Sequence, residues 1–189
     1  MMLQGMDPFL KDMIEVSSWA VGIIGGLTAA FVAGRQLKSN NEQRKVELRW
    51  RQANAAREII SDIHGNEWAR NAVTMLDWSA GKHMFSFRGN EGVELSYERD
   101  VLPALQKPQS DVLGVEQDVV YCFDWFFYYI NRIEHYINTN LIAFADVEDI
   151  IMIYSGRIKE HESIFNAFMT AHSYHLAAAF WLRRSAQVE

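Results

Sequence analysis

The stretch VSSWAVGIIGGLTAAFVAG, residues 16–34, decides the fold class of this chain. It runs for 19 residues without a charged side chain. At ~1.5 Å per residue, a helix of that length crosses a hydrocarbon core of ~30 Å. Trp19 stands near one end, where aromatic side chains commonly meet the membrane interface. The stretch therefore predicts a transmembrane helix.

Two other interpretations of residues 16–34 compete with the membrane span. A secretory signal peptide needs a positively charged N-terminal region, but Lys11 is here outnumbered by Asp7, Asp12 and Glu15. A buried helix of a soluble protein is the second alternative. Soluble helices of this length usually carry a polar stripe, which is missing from this stretch.

The residues on either side of the span predict its orientation. Basic residues follow it directly, whereas the preceding side is acidic; the basic residues are Arg35, Lys38, Arg44, Lys45, Arg49 and Arg51. Because positive charge stays on the cytoplasmic side, residues 1–15 are expected outside and residues 35–189 in the cytoplasm. Arg35, Lys38, Arg44 and Lys45 also fit contact with anionic lipid headgroups. The flanks thus predict a single-pass inner-membrane protein.

Small residues recur every four positions along the span: Ser18, Gly22, Gly26, Ala30 and Gly34. Residues at this spacing share one helix face, and small side chains there let two helix backbones approach closely. Gly25, Ala29 and Ala33 form a second strip beside the first, so each helix has faces for two neighbours, as a ring or pore requires. The alternative is that glycine is simply common in membrane helices. The pattern predicts a homo-oligomer.

Composition bounds what the rest of the chain can do. Its 189 residues are 49% hydrophobic, which is enough to bury a core. The formal net charge of −6 gives no reason to expect direct binding of nucleic acid. The single cysteine, Cys122, excludes an internal disulfide and a cysteine-based zinc site.

Beyond the span, the periodicity predicts an all-α cytoplasmic bundle of four or five helices. A membrane-proximal helix is expected over 35–64, and residues 65–189 should hold the bundle. Its helices are expected over 67–80, with Asn66 as N-cap, and over 112–138, 145–160 and 162–183. Residues 81–111 contain two prolines and three glycines, and they predict a long surface excursion with a short helix near 97–105.

Few side chains point to chemistry. Arg157 and His161 are four apart on a predicted helix, where a cation beside an acid–base group suits RNA cleavage, although a solvated helix face is the alternative. Asp124 is expected to have a structural role, either pairing with Arg132 or Arg70 or capping a neighbouring helix end; a functional carboxylate with a perturbed pKa is the alternative. The aromatic run from Phe123 to Tyr129 is interpreted as core rather than as the wall of a cofactor site.

Cofactor and metal motifs are missing from the sequence. It contains no phosphate-binding glycine loop, no nucleophile elbow and no Glu-x-x-His pair. The acidic and histidine residues that suggest a metal at first sight are Glu134, His135, Glu160, His161, Glu162, His172 and His175. Without ligand spacing, we predict neither a metal site nor a cofactor.

Charge is distributed unevenly along the chain. Residues 35–60 hold seven basic and three acidic residues, whereas residues 89–150 hold three basic and twelve acidic ones. The simple interpretation is that basic residues lie on the cytoplasmic side of the span and that the acidic residues form a solvated surface. The sharper interpretation is that the acidic part faces a basic partner, or the basic segment of a neighbouring subunit.

Two stretches carry a resemblance to known proteins. RWRQANAAREIISDIHGNEWARNAVTMLDW (49–78) and FDWFFYYINRIEHYINTNLIAFADVEDII (123–151) resemble short bacterial proteins with one N-terminal membrane helix and a helical cytoplasmic domain. The layout is also similar to the membrane accessory proteins of type VI-B CRISPR systems, which carry a HEPN-like helical domain and assemble as a ring. That resemblance implies a role in antiviral defence through membrane disruption.

The resemblance also brings the HEPN ribonuclease pattern, an Arg followed by four to six residues and a His. Only three residues separate Arg157 from His161, and two separate Arg132 from His135. Three hypotheses follow. The first is a non-enzymatic membrane oligomer that permeabilises or depolarises the membrane, signalled by a nucleic-acid-sensing partner. The others are a membrane-tethered HEPN-type ribonuclease and a membrane scaffold without a defence role.

Overall fold

The structure is a computed structural model that describes the backbone of residues 8–78, 81–87 and 89–185. Side chains are described for residues 31–78, 81–87 and 91–181. The chain divides into two compact units, Met1–Arg49 and Trp50–Glu189. The described residues are mostly helical, which confirms the all-α class in its main feature.

Helix α1 runs without interruption over Pro8–Gly65. Pro8 suits the first turn because a proline lacks the N–H that would have no helical partner there. The helix includes both the candidate span, residues 16–34, and the predicted membrane-proximal helix, residues 35–64, with no break between them. Within the part of the chain whose side chains are described, no helix combines the length and the apolar character needed to cross a membrane. Most of the candidate span lies outside that part.

The last part of α1, residues 50–65, belongs to the second unit and is amphipathic. Ala56, Ile59 and Ile63 are at most 2% exposed and face the core, as helical spacing predicts. The buried amide of Gln52 donates hydrogen bonds of 3.1 Å to the backbone oxygen and to Oδ1 of Asn140. These bonds satisfy the buried amide, and they join α1 to the turn after α4 (Val115–Asn138).

Helix α2, Glu67–Asp77, begins where the sequence predicts. The Asn66 side chain accepts a 3.0 Å hydrogen bond from the Ala69 N–H, which confirms the predicted N-cap. The helix ends before the predicted residue 80. Its buried face, Ala69, Ala72, Val73, Met75 and Leu76, packs against the core.

The prediction of an irregular surface excursion over residues 81–111 is wrong. Two antiparallel strands, β1 (Lys82–Phe87) and β2 (Asn90–Ser96), form a hairpin that turns at Gly89 with φ +89°. Phe85 and Phe87 are at most 5% exposed, so the hairpin contributes to the core. A π-helical turn, Tyr97–Val101, and helix α3, Leu102–Gln106, follow the hairpin. They confirm the short helix predicted near 97–105.

Four further helices complete the second unit: α4 (Val115–Asn138), α5 (Glu148–Glu160), α6 (Glu162–Ala171) and α7 (His175–Ser185). α4 is the central helix, and Phe123, Phe126 and Phe127 on it are at most 1% exposed. The single helix predicted over 162–183 is wrong, because α6 and α7 are separated by a turn at Ser173 with φ +62°. The Tyr174 N–H bonds back to the Met169 carbonyl at 2.8 Å, which closes α6.

Candidate functional site

The small-residue strip is described only at its C-terminal end. Ser18, Gly22, Gly26 and Ala30 lie outside the residues with described side chains. At Gly34, a Cβ atom would meet nothing within 4 Å, so the chain itself leaves this position open. The interface predicted along the strip therefore stays a prediction.

The predicted basic flank is solvent-exposed. Arg35, Lys38, Arg44 and Lys45 are all exposed, and so is every other residue from 31 to 51. The Arg35 guanidinium lies 5.6 Å from the centre of the Phe31 ring, a cation–π contact. Large apolar side chains are exposed in the same segment, with Leu37 64%, Val46 70% and Trp50 66% accessible. The segment thus combines positive charge with uncovered apolar surface.

Arg157 and His161 do not form the shared helix face that their spacing predicts. His161 follows the last residue of α5 with φ −122° and ψ 37°, so it is outside the helix. Each has its own acidic partner: Arg157 donates to Glu160 at 2.8 Å, and His161 Nε2 lies 3.6 Å from Glu98. These carboxylates compete with a phosphate for both groups, which weighs against the ribonuclease hypothesis.

A buried tyrosine that the sequence did not single out lies beside His161. The Tyr97 and His161 rings are 5.6 Å apart between centres. Tyr97 is 3% exposed, and its hydroxyl has no hydrogen-bond partner among the described residues. Burial, reinforced by the charge of Glu98, raises the pKa of the Tyr97 hydroxyl above its ordinary value. The phenol therefore stays protonated near neutral pH and is no general base there.

We expect the purified protein to leave single-stranded RNA intact, with Arg157→Ala and His161→Ala indistinguishable from the unmodified chain. The paired carboxylates and the missed spacing are the physical reasons. Gel analysis of an end-labelled RNA over several hours checks this, with a known ribonuclease as positive control. Cleavage that disappears specifically in either variant would contradict the prediction and favour the ribonuclease.

A polar cluster of the second unit centres on Asp124 in α4. His172 Nδ1 donates to Asp124 Oδ1 at 3.0 Å, and the Tyr174 hydroxyl lies 2.6 Å from the same oxygen. The Tyr174 hydroxyl is also 3.0 Å from the Asp124 carbonyl oxygen. The expected partner for Asp124 was Arg132 or Arg70, and that expectation is wrong. Arg132 lies 3.8 Å from Asp62 instead and donates to the Tyr136 hydroxyl at 3.1 Å.

Hydrogen bonding controls the charge state of this cluster. The bond from His172 is the main cause that lowers the pKa of Asp124, opposed by partial burial and assisted by Tyr174. Burial raises the pKa of the Tyr174 hydroxyl, as does its bond to Asp124. Asp124 is therefore ionised and Tyr174 is a neutral donor at neutral pH. The cluster joins α4 to the α6–α7 turn, so its first role is structural.

His172 also lines a cavity of about 500 Å³ between α6 and residues 105–112. The floor of the cavity is apolar, with Leu105, Val120 and Phe168 at most 6% exposed. The Phe168 ring stacks on the His172 imidazole at 4.2 Å between centres. Gln106 and Lys107 stand at the rim, and the Lys107 amine pairs with Glu116 at 2.5 Å. The cavity offers one imidazole in an apolar setting, without a nucleophile bonded to it among the described residues.

The aromatic run on α4 is only partly core. Phe123, Phe126, Phe127 and Tyr129 are buried, as predicted. Tyr121, Trp125 and Tyr128 are 42%, 39% and 42% exposed. Their spacing of four and three residues places them on one face of the helix. The sequence did not predict which aromatic side chains of α4 are buried and which are exposed, because both faces of the helix carry aromatic residues here.

No group of three or more His, Cys, Asp or Glu residues among the described side chains is arranged to hold a metal ion. Cys122 is buried, and burial raises the pKa of its thiol, with Asp118 and Glu67 adding to the effect. The thiol is therefore a poor ligand and a poor nucleophile at neutral pH.

Comparison with known proteins gives no relative from which a function could be transferred. No protein-family model matches the chain, and neither a curated protein nor a solved structure is significantly similar to it.

Proposed function

We propose that this chain is a single-pass membrane protein that associates with copies of itself and holds its helical unit, Trp50–Glu189, in the cytoplasm. The observation that carries the proposal is the uncharged stretch 16–34, followed directly by exposed Arg35, Lys38, Arg44 and Lys45. Arginine or lysine at the centre of a membrane helix costs ~3 kcal/mol. The point where the sequence changes from uncharged to basic is therefore the expected end of the membrane span.

Continuity of the helix supports the proposal in a second way. A membrane span must satisfy its backbone hydrogen bonds internally, because no water is available in the hydrocarbon core. α1 is helical throughout residues 16–34, and small residues recur every four positions along it. Small side chains at that spacing favour close helix association in a membrane. Self-association through this strip is therefore part of the proposal.

The biological role we propose is membrane permeabilisation or depolarisation in antiviral defence. It is supported by the resemblance of the layout to the membrane accessory proteins of type VI-B CRISPR systems. In this role the chain is an accessory or effector protein in a bacterial inner membrane, and a nucleic-acid-sensing protein is the partner that triggers it. The carboxylate partners of Arg157 and His161 make a non-enzymatic mechanism the better choice.

We expect a C-terminal green fluorescent protein fusion to fluoresce and a C-terminal alkaline phosphatase fusion to be inactive. Both results follow from a cytoplasmic C-terminus, because the phosphatase needs the periplasm to form its disulfides. The fusion should also stay with membranes after carbonate extraction. An active phosphatase fusion would contradict the orientation, and release into the soluble fraction would contradict the span.

A matched pair of variants makes this experiment specific to the stretch 16–34. Ile24→Asp places a carboxylate at the centre of the stretch, where it costs about 3 kcal/mol and should move most of the protein out of the membrane fraction. Ile24→Leu keeps the hydropathy and should behave like the unmodified chain. Equal extraction of the two variants would show that another part of the chain holds the protein at the membrane.

A further inference from the structure

One face of α4 carries three exposed aromatic side chains, Tyr121, Trp125 and Tyr128, which we call the α4 stripe. About two fifths of each side chain is accessible. Scattered apolar residues are normal on protein surfaces, but one tryptophan and two tyrosines in a row on one helix are a concentrated patch. Tryptophan, tyrosine and arginine are also the residues that dominate the energy of protein interfaces.

The side chains of the α4 stripe are held in place by their neighbours. Trp125 meets Tyr128 edge to face at 5.6 Å between ring centres. The Arg132 guanidinium lies 5.8 Å from the Tyr128 ring, and Gln117 donates to the Tyr121 hydroxyl at 3.0 Å. Trp68 of α2 packs edge to face on Tyr121 at 5.9 Å. Aromatic groups already ordered in this way lose little conformational entropy when a partner binds.

Carboxylates border the α4 stripe on both sides. By helical geometry, Asp118 lies one turn before Tyr121 on one side, and Asp124 lies one turn before Tyr128 on the other. Glu67, at the start of α2, directly precedes Trp68, which packs on Tyr121, so it lies near the same end of α4. Negative charge around exposed aromatic faces favours a cationic partner through ion pairs and cation–π contacts.

We propose that the α4 stripe binds the basic segment of a second copy of this chain, residues 35–51. This inference rests on the proposed self-association and identifies a contact for it outside the membrane. The segment is helical, and all of its residues are exposed. It holds six basic and two acidic residues, so its net charge is opposite in sign to Asp118 and Asp124 beside the α4 stripe.

Apolar surface on the basic segment matches the aromatic character of the α4 stripe. Leu37, Val46, Leu48 and Trp50 are between 48% and 70% exposed. A helix that presents lysine, arginine and leucine together covers aromatic rings with methylene groups while its charged ends stay in solvent, near the negative charge of the bordering carboxylates. Both partners are on one chain, so an assembly of identical copies supplies each α4 stripe with a basic segment.

Cross-linking between differently tagged copies tests the contact in the full-length protein. One copy carries Gln43→Cys in the basic segment, and the other carries Gln117→Cys or His135→Cys, at the two ends of the α4 stripe. All three positions are exposed, whereas the native Cys122 is buried. The chain without an added cysteine therefore gives the background level of cross-linking. We expect a bismaleimide reagent to join the two tags in native membranes. Lys159→Cys, exposed on α5, is the control position and should give no product.

Substitutions within the proposed contact should remove the product. Trp125→Ser combined with Tyr128→Ser should lower the yield about tenfold, because anchor residues carry most of the binding energy of an interface. Trp125→Phe, which keeps a ring, should largely preserve the yield. Arg44→Gln with Lys45→Gln should also lower it, and unchanged thermal unfolding of each variant would show that the fold is intact.

The outcomes separate this inference from the proposed function. An oligomer that stays in the membrane but gives no product beyond that of Lys159→Cys would overturn the contact and leave the membrane assembly standing. A protein of monomeric mass that gives no product would overturn both. A product of equal yield with and without the two serine substitutions would also overturn the α4 stripe as the binding surface.

Discussion

Gly26→Leu is expected to dissociate the membrane assembly and to lower the oligomeric fraction by at least about tenfold, which corresponds to ~1.4 kcal/mol. Gly26 is the middle member of the predicted strip Ser18, Gly22, Gly26, Ala30 and Gly34. A leucine side chain there separates the two helix backbones. Dispersion attraction falls steeply with distance, so most of the packing energy between the helices is lost.

The measurement for Gly26→Leu is molecular mass in mild detergent, together with membrane potential in cells. If the oligomer acts on the membrane, depolarisation should disappear with it. Ile23→Leu and Leu27→Ile nearly conserve volume, so both should keep the oligomer and serve as matched controls. Hydrophobic length is unchanged in all three, so insertion should survive. Full oligomeric mass in Gly26→Leu would refute the strip and leave contacts such as the α4 stripe to hold the assembly.

Asp124→Ala is expected to lower the free energy of unfolding by about 2 kcal/mol. The substitution removes the acceptor of the His172 and Tyr174 bonds and leaves both donors with one partner fewer. The Asp124 side chain is 39% exposed, so water replaces part of the lost interaction and holds the cost below that of a fully buried pair. Urea unfolding followed by tryptophan fluorescence checks the value.

The pH dependence of Asp124 gives this prediction a second readout. Its pKa in the folded state is lowered by the His172 bond, so its stabilising contribution is fully present above its unfolded pKa of ~3.9. The contribution is lost as pH falls through the lower, folded pKa. The difference in stability between the unmodified chain and Asp124→Asn should therefore shrink below about pH 4. A constant difference would contradict the role of the charge.

Two further variants serve as comparisons for Asp124→Ala, one within the cluster and one outside it. Tyr174→Phe removes the hydroxyl that lies 2.6 Å from Asp124 and should cost about 1 kcal/mol. Asp149→Asn changes an exposed carboxylate in the first turn of α5, and its cost should stay within about 0.5 kcal/mol. Equal costs for Asp124→Ala and Asp149→Asn would show that the cluster does not hold the α6–α7 turn.

Several helices could be located from the sequence because their signals are local. The Asn66 cap needs only its own side chain and the N–H of Ala69, three residues along. The apolar face of Ala56, Ile59 and Ile63 follows from the geometry of a helix, and the structure buries these residues. The predicted length and orientation of the candidate span rest on hydropathy and flanking charge alone, and both stay predictions.

The hairpin was missed although a local signal was present. Phe85 and Phe87 alternate with polar residues, as do Val93, Leu95 and Tyr97, on either side of Gly89. Alternation of this kind predicts strands. The three glycines and two prolines of residues 81–111 outweighed it, because they also predict an irregular loop. The strands are stable because Phe85 and Phe87 of β1 are buried in a core that is formed mostly by helices distant in the sequence.

The candidate sites show the same limit on local patterns. A spacing of four residues predicted one face for Arg157 and His161, but α5 ends between them and each residue meets a different carboxylate. The partner of His161 is Glu98, a residue far away in sequence. No spacing rule relates these two residues, so their pairing could not be predicted.

By itself the sequence determined the helical class, the position of the uncharged stretch 16–34 and its basic flank, and the start of α2, because each depends on residues within a few positions of one another. The tertiary structure alone decided where the last predicted helix breaks. Asn131 of α4 accepts hydrogen bonds from the N–H groups of Leu176 and Ala177, while Asp124 holds His172 and Tyr174. These bonds span more than 40 residues and compensate for the positive φ of Ser173, a cost no local pattern offsets.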